Sequence, residues 1–261
     1  PRGEAKSTFV SLFFVLWAVL TGRKHYILII ADALEQAASL LGAVKDELEF
    51  NEALKRDFPG AGKGHVWNVG TVVTPGNVKI QALGAGKRMR GLRHGPHRPD
   101  LIVLDDLEND GNVDKPEQRD KLQSWLQKTV LNLGAADGSM DVVYVGTLLH
   151  YDSVLARTLR KPLWKARTFR SILRWPDRMD LWDEWESLLS SRGEAEARRF
   201  YRQHRVKMEA GAEVSWPASR PLYRLMCLRA EDREAFDSEQ QNDPLSANEA
   251  PFNGCITFWV D

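Results

Sequence analysis

The sequence predicts an α/β fold with a mostly parallel sheet and a small C-terminal helical lid subdomain. Up to about residue 175, short apolar runs alternate with segments of helical spacing, a pattern that indicates parallel strands with helical crossovers. Beyond that point, charged residues and tryptophans follow in helical spacing. We therefore expect a core over 1–175, a helical lid and linker over 176–245, and a final stretch over 246–261 that includes a strand-like run at 255–261.

The elements follow from apolar spacing. Short apolar runs predict strands at 26–31, 66–73, 77–83, 101–104, 140–145 and 165–173. Apolar residues three or four positions apart predict helices at 7–21, 33–49, 115–133 and 152–161. The first of these helices is apolar on all sides, so we expect it to be buried. Pro116 lies near the first turn of the third, where its missing N–H is tolerated.

The composition excludes several classes of protein. Lys+Arg and Asp+Glu number 36 each, the formal net charge is zero, and 43% of the residues are hydrophobic. These values exclude a disordered tail, a collagen-like fibre and a multi-span membrane protein. The apolar run at 9–20 is too short to span a bilayer, which takes about 20 residues, so we expect no membrane partner. Two cysteines, Cys227 and Cys255, indicate a reduced cytoplasmic compartment.

The opening residues, PRGEAKST, are similar to a phosphate-binding loop. Such a loop points N–H groups at one centre from a helix N-terminus, with a lysine for the phosphates and a hydroxyl for Mg²⁺. Lys6 and Ser7 fit these two roles, whereas Ala5 occupies the place of the second glycine in the pattern G-x-x-x-x-G-K-[ST]. The alternative is a basic stub before a helix.

A second motif follows the strand at 101–104, where four apolar residues run directly into Asp105 and Asp106. In phosphate-loop NTPases, one acid at such a strand end holds Mg²⁺ and a neighbouring acid orients the attacking water. Asp105 fits the first role and Asp106 the second, with Glu108 as a rival for the second. The alternative is an acidic surface loop.

Two further features belong to the same pattern. The strand that ends at Val145 is followed by Gly146 and Thr147, whose hydroxyl could sense the γ-phosphate; the alternative is an ordinary strand end. Residues 58–99 contain no acid, and 84–98 are rich in glycine and arginine. A cationic loop of this kind suits contact with phosphate or a polynucleotide, although it could also be a solvated loop that balances the acids after Asp105.

Taken in order, these motifs resemble the ATPase region of the large terminase subunit of tailed bacteriophages. PRGEAKST resembles that family's variant phosphate loop, and KRMRGLRHGPHRPDLIVLDDLEND (87–110) resembles its Arg-Gly segment leading into the acidic strand. VVYVGTLLHYDS (142–153) resembles its coupling motif, and EAFDSEQQNDP (234–244) resembles the segment that closes the ATPase part. The resemblance spans nearly the whole chain and implies a three-layer P-loop NTPase core.

The resemblance also implies roles by position. The residues implied in binding ATP are Arg2, Gly3, Ala5, Lys6, Ser7, Thr8 and Thr147. Ser7 and Asp105 would hold Mg²⁺, and Arg2 would touch the γ-phosphate. The residues implied in catalysis are Asp106 or Glu108 as the base and Arg90 as an arginine finger, in cis or from a neighbouring subunit. Thr147 would couple hydrolysis to movement.

The implied function is ATP hydrolysis coupled to translocation of double-stranded DNA into a prohead, in the cytoplasm of the host cell. The implied partners are a homo-oligomeric ring, a portal and a small terminase subunit. In the family, an adenine-contacting segment and a strand precede the lysine, and a nuclease domain follows the ATPase part. We therefore expect weak ATP binding and no nuclease in this chain. The alternatives are a helicase-like or transposition ATPase and a non-hydrolysing nucleic-acid-binding module.

Overall fold

The computed structural model describes residues 1–244 and shows an α/β fold. A six-stranded, mostly parallel mixed sheet is flanked by helices and followed by a C-terminal helical region, which confirms the predicted α/β class. The expected strand-like run at 255–261, Cys255, and the final stretch over 246–261 lie outside the described residues.

The sheet has the order β2-β3-β4-β1-β5-β6. Its strands are β1 (Tyr26–Ala31), β2 (Val66–Trp67), β3 (Thr71–Val73), β4 (Lys79–Gly84), β5 (Leu101–Asp105) and β6 (Asp141–Val145). Strands β4, β1, β5 and β6 run parallel, and β3 pairs antiparallel with both β2 and β4. Ala31 is in register with Asp105, and Asp105 is in register with Val145. The carboxyl ends of β1, β5 and β6 therefore lie side by side.

Strand β5 is buried on both faces. Leu101 and Val103 pack into one core with the first helices, whereas Ile102 and Leu104 pack into a second core. Burial on both faces explains why this strand, like β1, is a continuous apolar run. Because successive side chains of a strand point to opposite faces, Asp105 shares the face of Leu101 and Val103.

Helices cover both faces of the sheet. On the first face lie α1, which is π-helical over Thr8–Phe14 and α-helical over Val15–Leu20, and α2 (Leu34–Phe50). On the other face lies α5 (Pro116–Lys128), with the predicted proline in its first turn. The remaining helices of this part of the chain are short: α3 (Glu52–Asp57), α4 (Asp110–Val113), a 3₁₀ turn (Val130–Asn132) and α6 (Val154–Leu159).

The expectation that the first helix is buried on all sides is wrong. Phe9, Phe13 and Trp17 are 70%, 55% and 46% exposed, whereas Val15 and Val19 are buried. A helix that lies on one face of a sheet buries only the stripe that faces the sheet. Within residues 1–244, no helix has both the length and the apolar character needed to cross a bilayer.

Two predicted strands differ from the structure. The run at 66–73 is divided by a turn, because the Asn68 side chain accepts hydrogen bonds from the backbone N–H groups of Gly70 and Thr71. Of the run at 165–173, only its end belongs to a strand, β7 (Ile172–Arg174). The side chains over 165–170 are exposed, so they offer no buried face for a strand to pack on.

A second compact unit contains Pro1–Glu4 and the described residues from Lys165 onward, and Ala5–Trp164 form the first unit. The second unit contains α7 (Met179–Arg192), α8 (Glu194–Glu209), α9 (Leu222–Glu231), α10 (Arg233–Glu239) and a small ladder of β7 with β8 (Glu213–Val214). Trp182 and Trp185 lie at the centre of its core, and the Trp182 indole N–H donates to the Met208 carbonyl at 2.8 Å. These tryptophans stabilise the helical unit by packing.

Candidate functional site

The candidate site lies within the first unit, at the carboxyl ends of β1, β5 and β6. Lys6 Nζ lies 2.9 Å from Oδ2 of Asp106, and the Ser7 hydroxyl donates to Oδ1 of Asp105 at 3.0 Å. In open α/β sheets, ligands bind outside the carboxyl ends of the strands. The structure therefore brings together four residues that the sequence motifs single out, although 98 positions separate Ser7 from Asp105.

The lysine turn leads directly into α1. Ala5 has a φ of 55°, in the left-handed region that favours glycine, and its carbonyl accepts the N–H of Phe9 at 2.9 Å. The start of a helix has N–H groups without helical partners and a partial positive charge. Together with Lys6, this helix start can attract an anionic group, and Ala5, at the place of the second glycine in the usual pattern, has a backbone conformation that favours glycine.

Asp105 is a buried carboxyl group with no exposed surface. Burial raises the pKa of Asp105, and the hydroxyl of Ser11 is the largest influence that opposes this rise. Asp105 and Asp106 bring two carboxylates close to one cation, Lys6, so the site has a deficit of positive charge. Carboxylate and hydroxyl oxygens are ligands that Mg²⁺ accepts, and this donor set fits the ion.

Mg²⁺ needs few ligands from the protein itself. Within residues 1–244, no group of three or more His, Cys, Asp or Glu side chains could hold a metal ion. Mg²⁺ is usually bound by one or two carboxylates together with waters and substrate phosphates, rather than by a closed protein cage. Ser7 and Asp105 are the residues that would hold it here.

The buried Asp105 carboxyl predicts a pH dependence of stability. The pKa of Asp105 in the folded protein is raised above its ordinary value of 3.8. Between the ordinary and the raised pKa, the folded protein binds more protons than the unfolded chain. The free energy of unfolding therefore falls as pH rises through this window. We expect Asp105→Asn to flatten this fall in urea unfolding across the acidic range. The pKa of Glu108 is also raised, so this residue still contributes its own part of the fall in the variant. An unchanged slope in the variant would contradict the prediction.

Asp106 has an unusual backbone conformation, with a φ of 45°. Its N–H donates to the Val145 carbonyl of β6 at 3.0 Å, and its carbonyl accepts the N–H of Asp32, the residue after β1, at 3.3 Å. Gly146 leaves room beside it, because a Cβ there would lie 3.4 Å from Asp106 Oδ1 and 3.1 Å from Leu155. Non-glycine residues with positive φ are uncommon and cluster at functional sites.

Glu108, the rival for the water-orienting role, is engaged elsewhere. Its carboxylate accepts the N–H groups of Val154 at 2.7 Å and Leu155 at 3.1 Å, and the Tyr144 hydroxyl lies 3.5 Å away. Burial raises the pKa of Glu108, and the two backbone hydrogen bonds oppose this rise. Glu108 therefore caps the start of α6, whereas the carboxylate beside Lys6 belongs to Asp106. The water-orienting role predicted from the sequence therefore fits the position of Asp106 better than that of Glu108.

The other residues named from the sequence are more scattered. Thr8 is exposed at the start of α1, and Thr147 follows β6 and is half-buried. Arg2 and Gly3 belong to the second unit, where Arg2 pairs with Glu239 at 2.7 Å. A side chain at Gly3 would meet the Arg220 guanidinium. These contacts give Arg2 and Gly3 a structural role in the second unit.

A cationic loop connects β4 to β5. The buried Met89 anchors it in the core, and the Trp125 indole N–H donates to the Lys87 carbonyl at 2.9 Å. Its exposed cations are Lys87, Arg88, Arg90, Arg93 and Arg98. In the part of the chain that the structure describes, none of them forms an ion pair. Arg90 thus lies on a surface loop that is anchored to the core, and its guanidinium forms no ion pair with the described residues.

Two features of the site were not recognised in the sequence. Ser11 donates to Asp105 from α1, and Asp32 accepts hydrogen bonds from the side-chain amides of Asn109 and Asn112, which hold the loop after Asp106. Ser11 is the one polar residue in the run at 9–20, and that isolated hydroxyl was the available signal. Asp32 directly follows a buried strand, as Asp106 does.

Comparison with known proteins gives no family assignment. A scan against protein-family models finds no matching family, and a search of the curated proteins finds no matching protein. What the site can do therefore follows from its geometry and from the sequence motifs that form it.

Proposed function

We propose that this chain is the ATPase part of a viral DNA-packaging motor, the large terminase subunit, which hydrolyses ATP with Mg²⁺ and moves double-stranded DNA into a prohead. The observation that carries the proposal is the meeting of the lysine turn with the twin aspartates, at 2.9 Å for Lys6 with Asp106 and 3.0 Å for Ser7 with Asp105. The six-stranded sheet with its helices would then be a three-layer P-loop NTPase core.

The proposed chemistry assigns one task to each side chain. Lys6 has three N–H donors, so it can stay paired with Asp106 while it also binds a phosphate oxygen. Ser7 and Asp105 would hold Mg²⁺, which when bound neutralises charge on the phosphates. The Asp106 carboxylate, 31% exposed, accepts a hydrogen bond from water and orients it for attack. Catalysis of this kind depends mainly on position and electrostatics.

The assay that tests the proposal measures ATP hydrolysis by the chain with and without Mg²⁺ and double-stranded DNA. We expect turnover that requires Mg²⁺ and rises with DNA. Absence of both turnover and Mg²⁺-dependent nucleotide binding would contradict the proposal. Unwinding of a DNA duplex during turnover would instead favour a helicase-like ATPase.

The motor would act in the host-cell cytoplasm as a ring, with a portal and a small terminase subunit as partners.

The cationic loop supports contact with DNA. Within residues 1–244, the five exposed cations of this loop form no ion pair, and they lie in the acid-free stretch 58–99. Contacts of such side chains with phosphates bind DNA without reading its sequence. The same observation also favours the second candidate, a nucleic-acid-binding module that does not hydrolyse ATP. The module would bind DNA through this loop and show no turnover.

Neutralising the loop should weaken DNA binding. We expect the triple variant Arg88→Ala, Arg90→Ala, Arg93→Ala to bind duplex DNA more weakly and to lower the slope of log affinity against log salt by about 3, because each phosphate contact contributes about 0.9. Fluorescence anisotropy over a salt series measures this slope. A control that replaces the exposed Arg192, Arg202 and Lys207 with alanine removes the same charge. Equal loss of binding in both triples would contradict a specific role for the loop.

A further inference from the structure

The proposed function leaves one contact of the site unexplained, that of the Ser11 hydroxyl in α1. Ser11 is 1% exposed, and its hydroxyl donates to Oδ2 of Asp105 at 2.5 Å. Ser7, one turn earlier on the same helix, donates to the other oxygen, Oδ1, at 3.0 Å. Two hydroxyls of a single helix therefore occupy both oxygens of one buried carboxylate.

Packing alone does not explain a serine at this position. The face of α1 that lies on the sheet is otherwise built from apolar side chains such as Val15, Ala18 and Val19. A buried hydroxyl is costly unless it is hydrogen-bonded, and an alanine would fit the helix better. The partner that offsets this cost is Asp105, so the serine is explained by the carboxylate. Ser11 also lies within the π-helical stretch Thr8–Phe14, a form that is frequent at functional sites.

The Ser7 and Ser11 hydroxyls differ in whether they remain available to a ligand. The Ser7 hydroxyl donates its hydrogen to Asp105 and keeps its lone pairs for a cation. Ser11 donates to the other carboxylate oxygen, and it is fully buried. A carboxylate held at both oxygens cannot rotate about its Cβ–Cγ bond, so Ser11 fixes the plane in which Oδ1 is presented.

We propose that Ser11 is a positioning residue, which holds the Asp105 carboxylate in the orientation that Mg²⁺ binding requires. This inference rests on the proposed ATPase function. Groups that orient metal ligands from outside the ligand set typically contribute 10–100-fold to metal affinity or activity. Ser11 does not touch the nucleotide in this role; it acts through Asp105.

The test measures how much Mg²⁺ the chain needs to bind a fluorescent ADP analogue, so that the readout does not depend on turnover. We expect Ser11→Ala to raise the half-saturating Mg²⁺ concentration about 10-fold or more, while analogue binding without Mg²⁺, which depends on Lys6, stays as in the wild type. Ser11→Thr keeps the hydroxyl and should restore the wild-type Mg²⁺ requirement. Ser39→Ala, at an exposed position of α2, is the matched control.

Each outcome decides a separate question. If Ser11→Ala binds the analogue at the wild-type Mg²⁺ concentration, the positioning role is overturned and the proposed function stands. If the wild type itself shows neither turnover nor Mg²⁺-dependent nucleotide binding, the proposed function is overturned and the role of Ser11 falls with it. Should the alanine variant fail to fold, Ser11→Cys keeps nearly the same size with a much weaker donor, and wild-type Mg²⁺ dependence in that variant overturns the inference equally.

Discussion

Replacing Lys6 with alanine should strongly reduce ATP turnover and leave the fold intact. Lys6 is the cation that the structure places beside Asp106, with Nζ 2.9 Å from the carboxylate, and its charge also acts on Asp105. Loss of one group aimed at charge that develops in a transition state commonly lowers kcat by about 10²–10³-fold. The pair is only partly buried, so stability should change little. Phosphate release under saturating ATP measures the turnover.

Two controls make the Lys6 experiment specific. Lys121→Ala removes the same charge from an exposed position of α5 and should retain full turnover. Lys6→Arg keeps the charge, but a planar guanidinium is not interchangeable with a compact ammonium, so we expect it to remain strongly impaired. DNA binding should survive Lys6→Ala, because the cationic loop is not altered. If Lys6→Ala turned over ATP as fast as Lys121→Ala, the proposed catalytic role of Lys6 would be contradicted.

The central strands were the most predictable part of the fold. The structure places β1 at Tyr26–Ala31, as predicted, and extends β5 by one residue to Asp105. Strands buried on both faces must be apolar throughout, so the sequence marks their ends clearly. Exposure was less predictable: the apolar run at 9–20 contains Phe9 and Phe13, which are exposed. Which stripe of an all-apolar helix faces the sheet is decided by packing against α2 and β5, and not by spacing alone.

The candidate site, like the fold, was predictable only in part. That Asp105 and Asp106 would lie at the carboxyl edge of the sheet was predictable, because Asp105 ends a parallel strand and Asp106 follows it. The role of Glu108 was not, because it depends on α6, whose first N–H groups point at its carboxylate. The contact of Ser11 with Asp105 likewise depends on the rotation of α1 about its axis. Contacts between elements distant in sequence required the structure.

The choice between Asp106 and Glu108 as the water-orienting acid gives the second large effect. We expect Asp106→Asn to lower kcat by about 10²–10⁴-fold, the usual contribution of a positioned acid or base, with little change in nucleotide affinity. Asparagine has nearly the same shape and tolerates the positive φ at this position, so the change removes the charge and leaves the backbone conformation in place. Single-turnover hydrolysis separates this loss from binding.

Glu108→Gln is the matched comparison, since it removes a carboxylate charge two residues away. Glutamine retains a carbonyl oxygen that can accept one of the two N–H groups at the start of α6, so we expect a loss of about 1–2 kcal/mol in the free energy of unfolding and a much smaller loss in kcat. The opposite ranking, with Glu108→Gln inactive and Asp106→Asn active, would assign water orientation to Glu108. In that case the contacts of Glu108 with α6 would have to break during the catalytic cycle, because they occupy both oxygens that the water would need.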